Sequence, residues 1–83
     1  MTTEQMASKL SAYEGRYAQT SDGNERVRIL CEALNFALAD DRYESDEQYY
    51  LSVIASGYWR RQLETYYTGR YTIDESGRFR PVA

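Results

Sequence analysis

Residues 25–40 read ERVRILCEALNFALAD, the most apolar run in the chain. Val27, Leu30, Cys31, Leu34 and Leu38 recur at helical spacing, and Ile29, Ala33, Phe36 and Ala37 widen that face well beyond one stripe. A strand is possible for VRILC alone, but the Glu-Ala-Leu-Asn continuation carries the helical period. A helix apolar over so much of its circumference is covered from two sides. The run therefore predicts the central helix of a helical domain, over about residues 24–40.

Toward the N-terminus, Thr-Ser-Asp-Gly-Asn at 20–24 is a breaker, with Asp22 or Asn24 placed to cap the central helix. Before it, Met6, Leu10, Tyr13 and Tyr17 are spaced 4, 3 and 4, one face of a helix over about 3–18 that Thr2 or Thr3 can cap. Gly15 weakens that helix by roughly 1 kcal/mol relative to alanine.

Toward the C-terminus, DDRYESDEQ at 40–48 holds five acids and one arginine. Ser45 followed by Gln48 reads as a capping box, and Asp46 and Glu47 stand where a helix dipole favours negative charge. A third helix follows over about 46–67, roughly 33 Å long at 1.5 Å per residue. Its expected core stripe is Leu51, Ala55, Trp59, Leu63 and Tyr66, with Tyr50, Ile54 and Tyr58 beside it. Gly57 marks a bend or a close approach, and Gly69 stands where a C-cap belongs.

The period then changes. Tyr71 and Ile73 alternate with Arg70 and Thr72, and Phe79 lies between Arg78 and Arg80. Asp74-Glu75-Ser76-Gly77 between them is a type I turn with glycine available for the left-handed position. These residues predict a β-hairpin over about 70–80, ended by Pro81, which must pack on the helices because two strands alone are barely stable. The fold class is mainly α: one compact three-helix domain spanning 1–83, with a long third helix and a small C-terminal hairpin packed on it.

Composition narrows the function. The 83 residues include no histidine and one cysteine, which removes the commonest general base, His-based triads, intrachain disulfides and cysteine zinc sites. Cys31, on the apolar face, reads as core filler. The acids of 40–47 lack the alternation and the glycine of a calcium loop and read as a solvated helix start. No glycine lies in a phosphate-binding loop. Neither catalysis, metal nor cofactor is expected. The first ten residues lack signal-peptide features, and no apolar run approaches a membrane span. The expected setting is cytoplasmic.

Charge is distributed unevenly. Residues 1–50 carry five bases and ten acids, whereas 51–83 carry five arginines and three acids. Nine tyrosines complete the picture. Tyr13, Tyr17, Tyr50, Tyr58 and Tyr66 fall on helical stripes and are expected at the core edge, and Tyr43 and Tyr49 belong to the acidic segment. Tyr67 and Tyr71 are interleaved with arginines, a pairing enriched at interface hot spots. Arg60, Arg61, Tyr67, Arg70, Tyr71, Arg78 and Arg80 are therefore the candidate partner contacts. The expected function is a small non-catalytic binding or regulatory protein, an inhibitor or accessory subunit, acting through a protein partner. A homodimer joining this basic end to another copy's Asp40–Glu47 segment is one such form. The alternative is nucleic-acid contact by the same Arg/Tyr surface, which an overall pI near 4.9 and a single lysine disfavour.

Overall fold

The computed structural model describes residues 1–39 and 43–82. Three helices, α1 (Thr3–Gln19), α2 (Gly23–Ala37) and α3 (Asp46–Tyr66), precede two strands, β1 (Tyr71–Ile73) and β2 (Phe79–Pro81). This is the mainly-α architecture expected from the sequence. The backbone spans 35 × 31 × 17 Å along its principal axes, so in its thin direction it is less than two helix diameters deep.

Each helix starts where a side chain can take up its unpaired N–H groups. Thr2 and Gln5 form a reciprocal capping box on α1, Asp22 accepts from the Glu25 N–H on α2, and Ser45 accepts from the Gln48 N–H on α3. At α3 the box is displaced by one residue. The Gln48 side chain accepts from the Glu44 N–H at 3.1 Å rather than from Ser45's own.

α2 is central, packing against α1, α3 and β2. Val27, Ile29, Leu30, Cys31, Ala33, Leu34 and Ala37 are all buried on it. Leu38, expected on its core face, is instead 42% exposed, because the helix stops at Ala37 and Leu38 caps it with non-helical backbone. The helix therefore ends short of the expected residue 40; Asp40 and Asp41 of the acidic stretch lie outside the described residues. α1 contributes Met6 and Leu10 to the core, with Tyr13 and Tyr17 packed against it.

α3 turns most of its expected stripe inward, with Tyr66 the exception and Gln48 and Ser52 added to it. Its buried residues are Gln48, Ser52, Trp59 and Leu63, with Leu51 and Ala55 packed at the margin. Tyr66 is 67% exposed in the last turn of the helix. The two buried polar groups are satisfied. Gln48 donates to the Met1 carbonyl at 2.9 Å, and the Ser52 hydroxyl donates to Met6 Sδ at 3.4 Å. Trp59 meets Tyr13 edge-on at 6.0 Å between centroids.

The hairpin pairs Tyr71 with Pro81, Thr72 with Arg80 and Ile73 with Phe79. The Gly77 N–H closes the turn onto the Asp74 carbonyl at 2.9 Å, and Gly77 takes φ 87, where an L side chain is strained. Asp74 Oδ1 accepts from the backbone N–H groups of Ser76 and Arg78, and Oδ2 from Arg80 Nε at 2.6 Å. These bonds, led by the Ser76 hydroxyl, hold the Asp74 carboxyl well below the usual range.

Asn35 of α2 docks the hairpin. Its amide donates to the Phe79 carbonyl at 2.9 Å and accepts from the Phe79 N–H at 2.7 Å, as a neighbouring strand would. Pro81, two residues on, has no N–H to leave unpaired on that edge. Phe79 itself is 3% exposed in the core.

Candidate binding surface

The seven Arg/Tyr candidates do not share one surface. Tyr67 is only 8% exposed. Its hydroxyl is bonded to that of Tyr17 at 3.1 Å, which leaves little of it to offer a partner. Arg70 lies over the Tyr67 ring and donates to the Asn24 side chain, holding the hairpin to the start of α2. Tyr71 is half-buried and stacked on Phe79 at 6.0 Å, with the Arg60 guanidinium over the same Phe79 ring. Arg60 also pairs with Glu64 along the helix at 3.2 Å, and Arg80 pairs with Asp74. Arg78 borders a groove with Lys9, Glu32 and Phe36, toward α1 and α2. Arg61 is exposed on α3 and is not among the ion pairs. Most of these side chains hold the C-terminal segment on the helices.

The surface that stands open is the outer face of α3. Tyr50, Ile54 and Tyr58 are 62%, 71% and 56% exposed, with Val53 beside them. This corrects the expectation that Tyr50 and Tyr58, with Tyr66, seal the core edge. At 100° per residue, Tyr50, Ile54 and Tyr58 fall within about 80° of arc, on the side of α3 away from Ser52, Trp59 and Leu63. Gly57, with nothing within 4 Å of where a Cβ would stand, also faces outward, and no other part of the chain approaches it there. The stripe continues into a groove of about 410 Å³ between α3 and α1, where Leu51, Ala55, Ile54 and Tyr58 face Ala7 and Ser11. Leu10 and Glu14 complete its α1 wall.

Among the described residues no three His, Cys, Asp or Glu side chains gather to hold a metal ion, and no helix is long and apolar enough to cross a membrane. Every buried side-chain N or O among them has a hydrogen-bond partner. Burial pushes the Cys31 thiol up to about 11, so it is the inert thiol the sequence suggested. Burial, then the bond to Tyr67, pushes Tyr17 up to about 12. Both shifts follow from packing. The signal that could have singled out α3's outer face was present in the sequence as Tyr50, Ile54 and Tyr58 at helical spacing, but spacing alone does not say which side of a helix meets the core.

Searches against family models, curated proteins and solved structures find no match for this chain.

Proposed function

We propose that this protein is a non-catalytic binding or regulatory module that acts through a protein partner held on the outer face of α3. The observation that carries this reading is the exposure of Tyr50, Ile54 and Tyr58 on one stripe. Isolated exposed apolar residues are ordinary, but a contiguous aromatic and aliphatic stripe marks an interaction surface. Tyrosine suits it, because its ring contributes contact area at small conformational cost and its hydroxyl tolerates water. Arg61 extends the stripe toward the C-terminal end and retains its place among the candidate contacts, with Arg60 on the flank. An inhibitor or accessory subunit works in this way, by occupying a surface.

Protein is favoured over nucleic acid as the partner. Arg60 and Arg80 are already paired with acids, Arg70 is spent on Asn24, and the chain carries a net charge of −3. Phosphate binding depends on several free cations acting together.

The test is affinity capture with the wild-type chain and with Ile54→Lys/Tyr58→Ser, both checked for helical circular dichroism. Loss of the captured protein with the variant and retention with Lys9→Ala supports the reading. Equal capture by both chains, or a ligand removed by nuclease, overturns it.

A further inference from the structure

α3's outer stripe is bounded by two charges of opposite sign. Glu47 precedes Ile54 by seven residues and Arg61 follows it by seven; Tyr50 precedes it by four and Tyr58 follows it by four. All five lie within the same arc of about 80° at 100° per residue. The stripe therefore reads the same under reversal about Ile54, with charge inverted at its ends. Glu47 and Arg61 are both exposed, and neither has an ion-pair partner among the described residues. Of the helix's other three charges, Asp46 stands next to Glu47 and adds to the negative end, while Arg60 and Glu64 are paired with each other.

We infer that the occupant of this face is a second copy of the chain, its α3 antiparallel to the first and crossing at Ile54. This deepens the reading of the face as a binding surface and rests on it. A twofold axis through Ile54 sets each Tyr50 against the partner's Tyr58 and each Glu47 against the partner's Arg61, so one contact is made twice. Both ends are then electrostatically complementary, whereas a parallel pair sets Glu47 on Glu47 and Arg61 on Arg61. Val53 and Gly57 flank the crossing, and the absence of a side chain at Gly57 lets the second helix approach on that flank. The α1 groove on the other flank receives the bulk of the partner's tyrosines. The contact runs from Glu47 to Arg61, about 21 Å at 1.5 Å per residue.

Sedimentation equilibrium over a micromolar-to-millimolar concentration range tests this with five chains: wild type, Ile54→Lys, Glu47→Arg, Arg61→Glu and the double swap Glu47→Arg/Arg61→Glu. Wild type is expected to pass from 9.7 kDa to twice that mass. Each single swap is expected to weaken pairing by about tenfold, since it sets like charges together at both ends. The double swap is expected to restore the wild-type constant, and Ile54→Lys to hold the monomer mass throughout. Circular dichroism confirms that each chain remains folded. A wild-type chain at monomer mass over the whole range, or a double swap no tighter than either single, overturns the inference. If wild type is monomeric and Ile54→Lys/Tyr58→Ser still abolishes capture of another protein, self-pairing fails while the face remains a binding surface. If both tests are negative, the two readings fail together.

Discussion

α2 and α3 carry similar numbers of apolar side chains and use them in opposite ways. α2 is surrounded: α1, α3 and β2 all pack on it, and nearly every apolar residue it has is dry. α3 divides its apolar residues between two faces. Its inward side includes a glutamine and a serine, and its outward side shows Tyr50, Ile54 and Tyr58 to water. The difference teaches that apolar content measures how much contact a helix seeks. It does not say whether that contact is within the chain.

The comparison makes its strongest demand on the middle of α2. Leu34→Ala removes a side chain that is 0% exposed and is expected to cost about 2–5 kcal/mol in urea unfolding. A cost below about 1 kcal/mol would mean that α2 is not the centre of the core. Next is the link from α2 to the hairpin. Asn35→Ala strips both backbone partners from Phe79, an expected loss of about 1–3 kcal/mol, with faster hydrogen exchange at the Phe79 amide. Slow exchange there in the variant would show that the hairpin docks by Phe79 burial alone.

A smaller effect belongs to α1's contact with the segment after α3. Tyr17→Phe removes the hydroxyl bonded to Tyr67 and is expected to cost about 0.5–1.5 kcal/mol at neutral pH. Because the folded chain holds Tyr17 up to about 12, its stabilising share is complete below the ordinary tyrosine range near pH 10 and fades as pH rises toward the folded value. Wild type should therefore lose stability between about pH 10 and 12 more steeply than Tyr17→Phe, with one tyrosine ionising late by absorbance. Matching slopes would remove Tyr17 from the account. Smallest of all is the outer face of α3. Ile54→Ala, measured at low micromolar concentration, is expected to change unfolding free energy by no more than about 0.5 kcal/mol. A core-sized loss would close the gap between the two helices.

What was legible in the sequence follows the same division. α2 was readable because residues apolar on all sides leave no choice of face, and α1 because Met6, Leu10, Tyr13 and Tyr17 form a single stripe. The hairpin turn was readable because Asp74 and Gly77 have chemistry that few other positions need. α3's core stripe was readable in Leu51, Ala55, Trp59 and Leu63, but its full inward face was not. That face also carries Gln48 and Ser52, which become acceptable inside only because Met1, Glu44 and Met6 supply their partners. Those partners lie more than forty residues away for two of the three contacts. Asn35 was missed for the same reason, since local pattern says nothing of a residue 44 positions away. Tyr67 and Tyr71 were singled out by neighbouring arginines, but the last turn of α3 and the strand after it aim them at Tyr17 and Phe79.

The slight thickness of the molecule, 17 Å across its backbone, bears on how it breathes. α1 and α3 each pack on α2 and turn an exposed face to solvent, so their amides and those of the strands can exchange by opening on one side alone. α2 has covering on more than one side, and its amides have no such route. They should exchange only when the whole chain unfolds, which makes α2 an internal clock for global opening and leaves every other element free to open on its own schedule.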